Sequence, residues 1–144
     1  MKLTAKGRYA VIAMVDLSRH QRDDEAVPLA DIAERQQLSQ AFLEQLFAKL
    51  KKHQLVCSVR GAKGGYRLNL PSKIIKVADI VKAINEDTDS THCKGEKNCR
   101  KGEPCLTHDV WAGLSEVTNN YLAAVSLADI NAGQLPAVTI EKGE

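Results

Sequence analysis

At 144 residues, with 44% hydrophobic and 26% charged residues, the chain has the size and composition of one globular domain, or of a domain with an appendage. Its net charge of +2 hides an asymmetry: residues 1–70 carry 12 Lys/Arg against 7 Asp/Glu, and residues 71–144 carry 8 against 11. No apolar run approaches the roughly 18 residues that cross a bilayer, and the opening MKLTAKGRYAVIAM lacks the pattern of a secretory leader, so a cytoplasmic protein with no membrane partner is expected.

In chain order, Thr4 can cap a first helix, AKGRYAVIAMVDLSRH, with Tyr9, Ile12 and Val15 or Ala13 along its apolar stripe. The polar break QRDDEAVP follows. Pro28 opens a short helix, LADIAERQQ, with Leu29, Ile32 and Ala33 turned inward. Ser39 can cap the next helix, QAFLEQLFAKLKKH, apolar at 42, 43, 46, 47 and 50, whose last turn holds Lys49, Lys51, Lys52 and His53. Two helices across so short a break suggest a helix-turn-helix. LVCSVRG and YRLNL, separated by a Gly-rich turn, then read as a β-hairpin. That order describes a winged helix, with Arg60 and Lys63 in or beside the wing. Between Arg35 and Arg67 there are seven basic residues and one acid, Glu44, a patch suited to a polyanion.

Pro71 marks a boundary, and KVADIVKAINED follows with Val77, Ile80, Val81 and Ile84 at helical spacing. Pro104 suits the first position of a long helix of about 20 residues, near 30 Å, with Val110, Leu114, Val117, Tyr121 and Val125 on one stripe, widened by Trp111 and Leu122. A helix that long on so small a head is expected to find its apolar partner on a second copy. The fold expected is therefore mainly α with a small β-hairpin: a winged helix-turn-helix DNA-binding domain over 1–71, a loop and dimerisation helices over 72–130, and a disordered tail over 131–144.

The loop THCKGEKNCRKGEPCLTH holds Cys93, Cys99 and Cys105 with five residues between each, and His108 three positions beyond Cys105. With a helix starting at Pro104, Cys105 and His108 would lie on one face, one turn apart. Lys94, Lys97, Arg100 and Lys101 would lower the thiol pKa values and offset thiolate charge. The spacing leaves three readings: free thiols, a Cys₃His zinc site, or an iron–sulfur cluster. Zinc sites usually use shorter Cys-x₂₋₄-Cys knuckles, and a cluster's wider frame suits these spacers. His92 adjoins Cys93 and could also ligate. Cys57, in the first expected wing strand, reads as a small buried side chain.

Together MKLTAKGRYAVIAM, PLADIAERQ, FLEQLFAKLKK, LVCSVRG with GGY, and above all Cys-x₅-Cys-x₅-Cys-x₂-His resemble the IscR family of iron–sulfur cluster regulators and its winged-helix relatives, over residues 1–130. The resemblance implies a homodimer on two-fold sites in double-stranded DNA. It implies a 2Fe–2S cluster held by Cys93, Cys99, Cys105 and His108, with iron–sulfur assembly proteins as donors. It implies a repressor of cluster-assembly genes that, without its cluster, still binds a second class of sites, and can also activate. Relatives that sense nitric oxide share the three cysteines, and a nitric-oxide- or iron-responsive repressor, or a zinc-stabilised DNA-binding protein, are the alternatives.

Under the same resemblance the DNA-reading residues are Ser39, Gln40, Ala41, Phe42, Glu44 and Gln45 on the second helix of the pair, with Arg60 and Lys63 on the wing. Glu44 can accept from cytosine and is repelled by phosphate. Ala41-Phe42 replaces the family's frequent Ser-Tyr, and the wing turn reads Gly61-Ala62-Lys63-Gly64-Gly65 in place of a run with Pro and more Gly. An enzyme is not expected: there is no P-loop, no Gly-x-Gly-x-x-Gly and no nucleophile elbow.

Overall fold

The computed structural model describes residues 3–84, 103 and 105–137. In order these form α1 (Ala5–His20), α2 (Leu29–Gln36), α3 (Gln40–Lys52), β1 (Val56–Val59), β2 (Gly65–Leu68), α4 (Val77–Ala83), α5 (His108–Ala124) and α6 (Leu127–Ala132). The two strands make an antiparallel hairpin with Val56 opposite Leu68 and Val59 opposite Gly65.

The core is aliphatic around Phe47. Ala10, Ala13, Met14 and Leu17 from α1 meet Ile32 from α2, Leu43, Leu46, Phe47 and Leu50 from α3, and Ile80 from α4, all fully buried. The first helix buries a different face from the one its largest apolar residues suggest. Tyr9 and Ile12 are exposed, and the inward face combines Met14 and Leu17 with the small Gly7, Ala10 and Ala13, which bring the α1 backbone close to its neighbours. Tyr9 instead meets Phe42 edge-on, with centroids 5.8 Å apart. Val77, Ile80 and Val81 of α4 and its C-cap Ile84 are all buried, as the helical spacing predicts.

The hairpin is held to the helices by a third short segment. Val27 and Tyr66 exchange backbone hydrogen bonds of 2.8 and 2.9 Å, and the Tyr66 ring tilts onto Phe47. This needs Gly65: a Cβ there would overlap the Val27 carbonyl. α5 turns back into α6 through an extended corner. There Val77 N donates to Val125 O (2.9 Å) and Leu127 N donates to Ile75 O (3.1 Å). Ser126 and Asp129 form a reciprocal capping box at the start of α6. Its hydrogen bonds from the Ser126 backbone and side chain hold the Asp129 carboxyl below its usual pKa, and Lys76 adds to this. α6 ends at Ala132, so the first two residues of the segment read as tail are helical.

α5 is 17 residues long, yet it buries only His108 and Ser115. Its C-terminal part, Tyr121 and Leu122, packs on Val77, Val81 and Val125. Its N-terminal part leaves Val110, Trp111, Leu114 and Val117 exposed in a single chain. Among the described residues no helix is long and apolar enough to cross a membrane.

Candidate nucleic-acid interface and metal centre

Between α2 and α3 the chain turns through Gln37 in the left-handed region (φ 54°, ψ 46°), an unusual place for a residue with a Cβ. Leu38 packs on the core beneath this turn. Ser39 Oγ then accepts from Phe42 N at 3.3 Å and caps α3. The cap orients the α3 N-terminus, whose free N–H groups and positive dipole end favour a phosphate.

The periodicity of α3 separates its two jobs. Leu43, Leu46, Phe47 and Leu50 face inward, and Gln40, Ala41, Glu44, Gln45 and Ala48 face solvent. Of the residues expected to read DNA on this helix, Ser39, Gln40, Ala41, Glu44 and Gln45 are exposed together, and Phe42 is half-buried against Tyr9. Sequence reasoning missed Tyr9 as a support for the reading helix, because an exposed aromatic on another helix gives no local signal.

Arg60 and Lys63 are exposed in the wing turn. The turn closes with Gly64 N donating to Gly61 O at 2.9 Å, and a side chain at Gly64 would come within 2.5 Å of the Val59 carbonyl. Lys51 Nζ donates to Ser58 Oγ at 2.8 Å, linking the end of α3 to β1. Cys57 is half-buried, not buried as its sequence context suggests. It lies opposite Arg67 across the hairpin, and Arg67 Nε donates to its sulfur at 3.2 Å.

Behind this face, Asp16 is a buried carboxylate between α1 and α2. It accepts from Arg35 Nη2 (2.6 Å), Arg35 Nε (3.1 and 3.2 Å) and Gln36 Nε2 (2.7 Å). Burial pushes its pKa up, but the Arg35 and Gln36 hydrogen bonds and the nearby Arg35 and His20 charges outweigh this and hold it below the usual value. The same contact raises Arg35 above its ordinary value. No local sequence pattern marks Asp16 for burial, because its partner lies 19 residues away.

Of the four expected cluster ligands, the structure describes two. Cys93 and Cys99, with His92, lie outside the described residues. The long helix begins at His108, not at Pro104, so Cys105 stands before it and not on its face. The two residues are still brought together: His108 N donates to Cys105 O at 3.1 Å, closing a turn between them. Trp111 Nε1 donates to Thr107 Oγ1 at 3.0 Å and braces that turn. Cys105 is half-buried and His108 is buried. Among the described residues no group of three metal-ligating side chains converges. A thiol and an imidazole in one braced turn at a helix N-terminus suit a soft metal centre. Sulfur and imidazole nitrogen are the donors such centres take.

A helix pair with an exposed, capped second helix, followed by a basic hairpin, defines a winged-helix DNA-binding transcriptional regulator; it is not an enzyme. Residues 3–133 match the Rrf2 family, described as iron-dependent transcriptional regulators, and the chain belongs to that family. A protein of Azotobacter vinelandii named as an HTH-type transcriptional regulator, ORF2, is 52% identical over 130 residues, which cover 90% of this chain and 79% of that protein. The HTH-type transcriptional regulator IscR of Yersinia enterocolitica is 48% identical over the same 90% and 79%. Among solved structures, T. potens IscR superposes with a TM-score of 0.76 at 38% identity, over 92% of this chain and 88% of that one. CymR, the global cysteine regulator of B. subtilis, superposes with a TM-score of 0.80 at 26% identity, over 92% and 98%.

Proposed function

We propose that this regulator senses iron–sulfur cluster status, holding a 2Fe–2S cluster through Cys93, Cys99, Cys105 and His108 and binding two-fold DNA sites as a cytoplasmic homodimer. The observation that carries the reading is the Cys105–His108 turn at the foot of α5, placed at the end of the Cys-x₅-Cys-x₅-Cys-x₂-His spacing. The relatives named IscR support it. When bound, the cluster supplies a labile, redox-sensitive centre whose presence or loss is the signal.

The chain's own residues do the rest. His108 must be neutral to ligate, so cluster retention weakens in acid. Glu44 and Gln45 present an acceptor and an amide to base edges in the major groove, and Glu44 penalises sites where it meets only phosphate. Arg60 and Lys63 reach the flanking groove and backbone. The exposed Val110, Trp111, Leu114 and Val117 of α5 meet the same face of a second copy, which sets two heads a fixed distance apart. Cluster-assembly genes are the targets, and assembly proteins are the cluster donors.

The test is oxygen-free purification with iron and sulfide analysis and visible absorption, on wild type and His108→Ala. The reading expects two iron and two sulfide per chain with thiolate-to-iron absorption, and an altered, more easily lost centre in His108→Ala. Colourless protein with stoichiometric zinc would refute it.

A further inference from the structure

The last turn of α1 and the residue that caps it reach α2, the wing and α6, each through different polar side chains. Asp16 holds Arg35 and Gln36 of α2, the first helix of the helix-turn-helix. The Gln21 side-chain oxygen accepts from Leu68 N of the wing at 2.7 Å. On the remaining side, Asn131 of α6 donates to Ser18 Oγ (2.7 Å) and accepts from Arg19 Nε (2.9 Å), and Ser18 Oγ in turn donates to Val15 O at 2.8 Å.

The contact with α6 differs in kind from the other two. α6 is continuous, through one tight corner, with the helix whose exposed apolar face is assigned to the partner. Its N-terminal end is anchored by Leu127, fully buried, and by backbone hydrogen bonds from Leu127 N to Ile75 O and from Ala128 N to Ser72 O. These anchors all lie in its first turn. Asn131 stands four residues further on, about 6 Å along the axis, and supplies a directional second point. Ile130 beside it is only half-buried, and apolar contact of that kind does not select an angle.

We propose that Asn131, with Ser18 and Arg19, is a positioning site that fixes the angle between the α5–α6 dimer module and the DNA-reading head, and so sets which half-site spacing the dimer accepts. This rests on the dimer reading above and goes beyond it by assigning spacing selection to three named residues. They touch neither the DNA-reading face nor the cluster turn. A rotation of a few degrees at this joint is magnified along α5, whereas Asp16 and Gln21 keep the helix pair and wing rigid with respect to each other.

The test uses the full chain, purified without oxygen, and a duplex selected by the wild-type protein from a random pool. Binding is measured by anisotropy on that duplex and on versions with one or two base pairs inserted between the half-sites. Asn131→Leu keeps the size and removes both hydrogen bonds. Arg19→Met, at an exposed position, weakens the same joint from the other side. Asn131→Asp keeps an acceptor for Arg19, and Ser18 can turn to donate to it. Wild type is expected to reject the inserted duplexes. Asn131→Leu and Arg19→Met should lose roughly fivefold or more of that discrimination, the lower end of common inter-site couplings, with dimerisation by sedimentation and affinity for a single half-site unchanged. Asn131→Asp should restore it. Full wild-type discrimination in both Asn131→Leu and Arg19→Met overturns the positioning site and leaves the dimer reading standing. Indifference of the wild type itself to spacing overturns both.

Discussion

The Arg35 guanidinium grips the Asp16 carboxylate through two nitrogens, with Nη2 2.6 Å from Oδ1 and a carboxylate that is 1% exposed. Neither α1 nor the short α2 could hold this angle by apolar packing alone, since Ile32 and Leu29 are the only buried residues of α2. The pair makes the placement of the helix-turn-helix depend on charge chemistry.

Asp16→Ala should therefore destabilise the fold by about 1.5–3 kcal/mol, the worth of hydrogen bonds to a charged group, since the Arg35 left behind is exposed and can be solvated. Because the folded-state pKa of Asp16 is depressed, its contribution is present in full above the unfolded carboxylate pKa of about 3.9 and is lost as pH falls through the folded value. Urea titrations across pH 2–7 check this: Asp16→Asn should start lower and flatten the acid limb.

Gly65→Ala should detach the wing. The added Cβ overlaps the Val27 carbonyl, so the Val27–Tyr66 pairing must open, at a cost of about 2 kcal/mol. Thermal melting reads the loss. DNA affinity should fall with it, because Arg60 no longer has a fixed base.

DNA binding should weaken steeply with salt, with a log–log slope of about −0.9 per phosphate neutralised. Lys63→Ala should reduce that slope by about one phosphate and weaken all sequences alike. Arg60→Ala should cost about 1–3 kcal/mol and relax preference at the bases or groove it contacts. A salt series with specific and scrambled duplexes separates the two.

Val117 is 65% exposed in one chain, at the centre of the unpacked half of α5. Val117→Asp would bury an unpaired charge in the proposed dimer and should weaken self-association by roughly a hundredfold, about 2.7 kcal/mol. Sedimentation equilibrium should show monomer, while the circular dichroism of the head stays that of wild type.

Much of this was legible in residue order. The pattern of α3 repeats at helical spacing, and its apolar and polar residues divide as the spacing requires. The Gly-rich turn between β-patterned segments marked the wing, while the spacing of Cys93, Cys99, Cys105 and His108 left free thiols, zinc and an iron–sulfur cluster all open. Local order failed where a long-range partner decides. Tyr9 and Ile12 look like core and are exposed, because α1 is packed closely through Gly7, Ala10 and Ala13. The start of α5 moved from Pro104 to His108, because the Cys105–His108 turn takes up the residues between.

Periodicity and ligand spacing are properties of neighbouring residues, so the chain by itself determined its helices, its hairpin, its basic face and its cysteine set. Which side chain meets which across more than a dozen residues is set by packing and by pairing of buried charge. Only the tertiary structure joined Asp16 to Arg35, Gln21 to the wing and Asn131 to Ser18 and Arg19. Those contacts turn four separate pieces into one oriented regulator, since a polar group away from water is stable only where its partner is in place.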